Sequence, residues 1–335
     1  MKKAIFTVDD RPQANNAGPK AKVDFDYFMK SQGFEIIHRH LDVDSKIKKL
    51  TCALFTVPNL FRGEQYDELI FQYPTYSSFL MKRMLPKMKQ HAKKLYFILH
   101  DVESLRLFTD DADYWDSEKA LFNSTDGLIV HDQALNNWLR EHGVTVPMVN
   151  LEIFDYHNPQ PVQINEDYDR SICFAGNLAK SSFLNHLSLN QAKLDIYGPH
   201  PSESYNSGVT YKEIYSPEEL PKHLTDNFGL VWDGSSTETC DGKFGNYLRY
   251  NAPHKTSLYL STGIPVIIWK QAALADFIVD HQVGIAVDSL QELDQVLSQL
   301  SKEQYRELKQ NAVRLAQQLR SGYYSHRAVN AIEQY

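Results

Sequence analysis

The sequence predicts an α/β protein made of two Rossmann-like, doubly wound domains that face each other across a cleft. Three observations carry this reading. Short apolar runs alternate with stretches of helical spacing along most of the chain, the pattern of parallel strands joined by crossover helices. The alternation stops once, over residues 155–169, where DYHNPQPVQINEDYD is polar, aperiodic and carries two prolines. A chain of 335 residues is also long for one hydrophobic core.

The first half opens with the apolar run 4–8, closed by Asp9-Asp10, a strand followed by a loop. Residues 11–20 hold Pro12, Asn15, Asn16, Gly18 and Pro19, all turn formers. Helical spacing then covers 23–31, and a second strand covers 34–38. Residues 54–57 and 69–73 are further apolar runs, each followed by a proline. Residues 77–91 have helical spacing, interrupted by Pro86. A buried-strand pattern over 94–99 leads directly into His100-Asp101, and strand 127–130 leads into helix 133–141.

The polar stretch 155–169 is expected to link the two domains. Beyond it the predicted strands are 171–175, 193–197, 229–232, 265–269 and 284–287. Their partner helices are 217–226, 253–262, 272–280 and 290–300. The chain is then mostly helical, with a break at Ser321-Gly322. The expected division is a first domain over 1–155, a second over 165–320, and a C-terminal helix over 321–335 that returns to the first domain.

Composition narrows the function. Hydrophobic residues make up 42% and charged residues 23%, ordinary for a globular protein. The net charge of −7 argues against nucleic acid as a partner. Three widely spaced cysteines, Cys52, Cys173 and Cys240, suit a reducing cytoplasm and form neither a disulfide framework nor a zinc pattern. No apolar run reaches the ~18 residues that span a bilayer. The lysines of MKKAIFTVDD precede too short an apolar run for a signal peptide.

In parallel sheets, ligands sit beyond the carboxyl ends of the strands, which selects a short set of candidates, Gly198-Pro199 and Asp233-Gly234 among them. The segment Tyr250-Asn251-Ala252-Pro253-His254-Lys255 opens a helix. Asn251 is the expected N-cap, and Pro253 suits a first turn whose N–H groups lack partners. Free amides, the positive end of the helix and Lys255 together suit a phosphate or diphosphate. Gly176, Asn177 and Lys180 follow the strand 171–175, where a glycine lets a ligand approach the backbone. Asn16, Gly18, Lys20 and Lys22 occupy the first strand-to-helix connection, without GxGxxG or GxxxxGK[ST]. His100, Asp101 and Glu103 are the base candidates by position. Asp9-Asp10 is the only acidic pair placed after a strand; no His/Cys cluster has zinc spacing and GxSxG is absent, so no metal and no serine nucleophile is expected.

The strings GNYLRYNAPHKTSLYLSTGIPVIIWKQAALADFI and, upstream, FAGNLAKSSFL resemble the C-terminal domain of GT-B glycosyltransferases. The whole chain resembles the glucosyltransferases of Gram-positive cocci and lactobacilli that extend glycans on serine-rich-repeat adhesins in the second step of that glycosylation. Galactofuranosyltransferase-like relatives share similar strings. The resemblance implies a cytoplasmic, self-associating hexosyltransferase. It would move glucose from UDP-glucose to protein-linked N-acetylglucosamine, with UDP-sugar as co-substrate and no metal or other cofactor. It places the diphosphate on Tyr250, Asn251 and Lys255, a loop contact on Asn177 and Lys180, the uracil beside Tyr211, and the loop around Asn16 and Gly18 across the cleft. A nucleotide-sugar epimerase, another UDP-hexosyltransferase and a non-catalytic glycosyltransferase-like partner are the alternatives.

Overall fold

The computed structural model describes residues 1–9, 17–41, 45–75 and 77–335. Its contacts divide into two units. The first comprises Met1–His131, Asn136–Leu151 and Ser325–Tyr335, and the second Asp132–Leu135 and Glu152–Tyr324.

The first unit contains β1 (Lys3–Asp9), α1 (Ala17–Ser31), β2 (Glu35–His40), α2 (Lys46–Thr51), β3 (Tyr66–Tyr73), α3 (Ser78–His91), β4 (Ala92–Leu99), α4 (Glu103–Arg106), α5 (Ala112–Phe122), β5 (Gly127–Val130), α6 (Gln133–Glu141) and β6 (Met148–Asn150). Its six strands run in the order β2-β1-β3-β4-β5-β6, all pairs parallel. The central strands are apolar and buried on both faces: Ile5 and Phe6 in β1, Leu69, Ile70 and Phe71 in β3, Phe97 and Ile98 in β4. This is why they read as continuous apolar runs rather than alternating ones.

Two predicted elements differ here. Residues 17–22, expected in a loop, form the first turns of α1; Pro19 is tolerated there because an N-terminal turn needs no N–H from it. Gly18 is therefore helical, whereas Asp10 and Asn16 lie outside the described residues. The run 54–57 is no strand. It continues α2 as a π-helical turn, Cys52–Thr56, and a 3-10 turn, Val57–Asn59. Only Cys52, Ala53 and Val57 of these residues are buried, so the segment turns one side to the core.

The second unit contains β7 (Ser171–Ala175), β8 (Lys193–Tyr197), β9 (Val209–Tyr211), β10 (Phe228–Val231), α7 (Gly242–Tyr247), α8 (His254–Thr262), β11 (Val266–Trp269), α9 (Ala275–Asp280), β12 (Gly284–Val287), α10 (Leu293–Gln299) and α11 (Lys302–Ser321). The last helix, α12 (Tyr323–Ile332), follows Gly322, whose φ of 77° ends α11 in the left-handed conformation. The sheet order β9-β8-β7-β10-β11-β12 is the doubly wound 3-2-1-4-5-6 arrangement, again all parallel. The helix predicted over 217–226 is only a 3-10 turn, Leu220–Lys222, because Pro221 interrupts it.

The stretch 155–169 lacks helix and strand, as its composition predicts, yet it is not a solvated tether. Asp155, Tyr156 and Asn158 are buried. Asn158 donates to Ser261 Oγ and Thr262 Oγ1, and Arg320 donates to the carbonyls of Gln160 and Ser261. The stretch is thus packed on α8 and α11 of the second unit.

Candidate functional site

The strand order reverses between β7 and β10, and the two strands end side by side. Doubly wound sheets bind ligands at that point. β7 delivers Gly176-Asn177 there and β10 delivers Asp233-Gly234. The next helix, α8, packs its Tyr259 over β10 so closely that a Cβ on Gly229 would lie 2.2 Å from the ring. The Tyr259 hydroxyl accepts the N–H of Ala175 at 2.8 Å. One tyrosine therefore registers α8 against both strands of the switch point.

At the start of α8 stands Lys255. Its Nζ donates to Asp233 Oδ1 at 2.9 Å and to the Trp232 carbonyl at 3.2 Å, and lies 4.7 Å from the Phe174 ring centre. The lysine expected beside the diphosphate is thus ion-paired and held over an aromatic face. The Asn251 N-cap is also corrected. The cap position is Pro253, with no side-chain cap bond, because the chain stays extended through Pro253 before entering the helix. Asn251 Oδ1 is buried without a hydrogen-bond partner, as are Thr256 Oγ1 and Ser257 Oγ one turn into α8. Three such atoms within seven residues call for a polar ligand or water, since buried polar groups are otherwise paired. Ala252 and Pro253 are buried, and Tyr250 is half-buried. The His254 ring lies 4.9 Å from that of Tyr156.

Around this helix start the loops are tightly drawn. Asp241 accepts from Ser235 Oγ, Ser235 N–H and Ser236 N–H, which holds its carboxyl below the usual carboxylate range. Gly234 (φ 115°) makes that turn possible. After β7, Asn177 caps the turn Leu178–Lys180 by accepting the Ala179 N–H at 3.1 Å, and Lys180 Nζ sits 5.0 Å from the Phe244 ring centre. The glycine that close approach demands is Gly198 rather than Gly176: a Cβ on Gly198 would fall 1.9 Å from the Gly176 carbonyl oxygen, whereas one on Gly176 would meet only ordinary contacts. Tyr211 ends β9, more than a third exposed.

The first unit places its candidates beyond its own sheet, and it separates the three base candidates. His100 Nε2 hydrogen-bonds Gln72 Oε1 at 2.7 Å; Gln72 in turn donates to Thr7 Oγ1 and Asp26 Oδ1. Asp101 pairs with Arg106. Glu103, at the start of α4, joins a buried cluster with Tyr73, Tyr114 and Glu118. Glu118 accepts the Tyr73 hydroxyl at 2.6 Å and the N–H groups of Glu103 and Ser104 at 2.9 and 3.0 Å. Burial, with the Glu118 charge beside it, raises the Glu103 carboxyl to about 7. A cavity of about 380 Å³, bounded by Met81, Lys82, Leu85 and Leu121 among others, opens on this cluster. Lys20 and Lys22 are engaged as well, with Asp24 and with the Pro74 carbonyl.

Comparison with known proteins decides the family. A model described as Glucosyltransferase 3-like, N-terminal domain, matches residues 2–153, and one described as Glucosyltransferase 3-like, C-terminal domain, matches residues 172–332. The chain belongs to the Glucosyltransferase 3-like family. It is 32% identical over 266 residues to the β-1,6-galactofuranosyltransferase WbbI of Escherichia coli K12, covering 78% of this chain and 77% of that one. It is 26% identical over 291 residues to Glucosyltransferase 3 of Streptococcus parasanguinis, covering 86% and 83%. The fold is similar to that of sucrose-phosphate synthase from Thermosynechococcus elongatus, with a TM-score of 0.68, 12% identity and 99% of both chains covered. The Glucosyltransferase 3-like chain is thus a two-domain GT-B glycosyltransferase.

Sequence reasoning missed Glu118, Tyr73 and Tyr114 in this member of the family. Asp233 follows a short apolar run, and the strand-end rule selects it. Glu118 and Tyr114 sit within α5, where sequence spacing says nothing about the neighbouring elements. Among the described residues no group of three His, Cys, Asp or Glu is arranged to hold a metal ion, and no helix is long and apolar enough to cross a membrane.

Proposed function

We propose that this chain is a cytoplasmic hexosyltransferase that takes its sugar from a UDP-sugar and binds the diphosphate at the start of α8. The observation that carries the reading is the coincidence of the Thr256 and Ser257 hydroxyls, buried without partners and able to donate, with Lys255 at a helix N-terminus on the switch point. As the sugar–oxygen bond breaks, negative charge grows on the departing diphosphate. Helix amides and a lysine fixed in advance stabilise that charge without reorganising. In this reading they serve in place of a metal ion. Tyr250, Ala252, Pro253 and His254 shape the segment, Asn177 and Lys180 border it, and Tyr211 flanks the base.

On the acceptor side, the base belongs among His100, Asp101 and Glu103. Glu103 supports the role best, because its carboxyl is raised to about 7 and borders a cavity. The finer assignment is glucose from UDP-glucose to N-acetylglucosamine on a serine-rich-repeat protein, supported by similarity to streptococcal proteins called Glucosyltransferase 3. The 32% identity to WbbI supports galactofuranosyl transfer as the second reading.

The test is calorimetry with UDP in the presence of EDTA, followed by product analysis with UDP-glucose and UDP-galactofuranose, each with and without an N-acetylglucosaminyl peptide. Binding that survives chelation and a product formed only with acceptor support the proposal. Absence of UDP binding at millimolar concentration overturns it, and conversion of donor without acceptor replaces it with an epimerase.

A further inference from the structure

We propose that the segment 45–63 and α3 together form a docking face for an anionic membrane surface. The protein carries 42 acidic and 35 basic residues, yet these two segments hold Lys46, Lys48, Lys49, Arg62, Lys82, Arg83, Lys87 and Lys89 and not one Asp or Glu. The rest of the chain therefore has 27 Lys and Arg against all 42 acids. Asp42 and Asp44 precede the first segment and lie outside the described residues. The two segments are neighbours in space, since α3 packs against the π and 3-10 turns that extend α2.

Their apolar residues are as unusual as their charge. No residue of α2 is buried, although Ser45 caps it by accepting the Lys48 N–H at 3.2 Å. Short helices in water are marginal unless an apolar face is packed. Here Ile47, Leu50, Leu54 and Phe55 are 78%, 50%, 59% and 70% exposed. Their spacing of three, seven and eight residues from Ile47 places them on one helical face, while Cys52, Ala53 and Val57 hold the opposite face in the core.

Apolar side chains including a phenylalanine, interleaved with lysines on a helix lying at the surface, suit the headgroup boundary of a bilayer. The apolar groups enter the acyl edge and the lysines meet lipid phosphates. An acidic peptide would satisfy the lysines but give Leu54 and Phe55 no apolar phase. A second copy of this chain would set eight cations against eight others if the faces paired symmetrically.

The experiment is co-sedimentation of the full chain with sonicated phosphatidylcholine vesicles, with and without about 30% phosphatidylglycerol, at low and high salt. Two variants accompany it: the double Leu54→Ser, Phe55→Ser and the triple Lys46→Ser, Lys48→Ser, Lys49→Ser. Donor turnover and melting temperature of both variants should match the parent chain and so certify their folding. The expected result is pelleting with anionic vesicles only, weakened by salt and reduced about tenfold or more by either variant. No pelleting with anionic vesicles at low salt overturns the proposal, as does pelleting that both variants leave unchanged. Loss of a dimer in the double variant, seen by light scattering, would assign the face to self-association instead.

Discussion

Lys255 and Asp233 form a half-buried ion pair, Nζ to Oδ1 at 2.9 Å, that joins the start of α8 to the end of β10. The lysine also reaches the Trp232 carbonyl and covers the Phe174 ring. Its four carbons and its charge are therefore fixed before any ligand arrives, which is the preorganisation that a departing diphosphate requires.

The first prediction concerns this pair. Lys255→Ala should lower kcat by at least about 100-fold, since a preorganised charge on a leaving group contributes several kcal/mol. Asp233→Asn, which keeps the shape and removes the charge, should change UDP affinity more than melting temperature. Unaltered turnover in Lys255→Ala would remove the lysine from the mechanism.

Glu103 predicts a pH dependence of stability. Its carboxyl rises from 4.5 to about 7 on folding, so the folded state holds a proton that the unfolded state releases. The stabilisation is complete below about 4.5 and is lost as the pH rises to 7. Glu103→Gln should therefore raise the unfolding free energy at pH 8 by up to about 3 kcal/mol, seen as a higher melting temperature, and have little effect at pH 4.5. Parallel melting curves for parent and variant across this range would show that the carboxyl is charged in both states.

Lys309 lies buried in α11, and burial lowers its ammonium from 10.5 to about 8. A base depressed in this way costs stability as the pH falls from 10.5 towards 8 and below. Lys309→Met should stabilise the chain at pH 7, by up to about 3 kcal/mol if the new side chain fits, with the gain shrinking as the pH rises from about 8 to 10.5. A lower melting temperature at pH 7 would reveal an ion pair that the burial argument overlooks.

Gly198 and Gly176 separate two roles of glycine. Gly198→Ala places a methyl 1.9 Å from the Gly176 carbonyl at a φ of 142°, so it should cost more than about 2 kcal/mol and weaken UDP binding by displacing the loop after β7. Gly176→Ala should be tolerated. Chemical denaturation and UDP titration of both variants measure this, and the reverse ranking would contradict the packing.

The apolar runs 69–73, 171–175 and 265–269 were legible as strands because a parallel strand covered on both faces must be apolar along its whole length. The run 54–57 has the same appearance but is helical, since apolar character over four residues does not distinguish strand from helix. The strand-end rule and the PHK string located the start of α8. They did not reveal that Lys255 is already paired, nor that Asn251 leaves its oxygen without a partner.

The amino-acid sequence by itself determined the alternation of strands and helices, the interruption at residues 155–169 and the strand ends that carry polar residues, because each depends on neighbours within a few positions. Only the tertiary structure decided that Asp233 meets Lys255 across 22 residues and that Glu118 gathers Tyr73 and the start of α4. It also decided that Gly198, not Gly176, must lack a side chain. Those relationships follow from strand order and helix packing, which set distances between residues whose local patterns carry no record of one another.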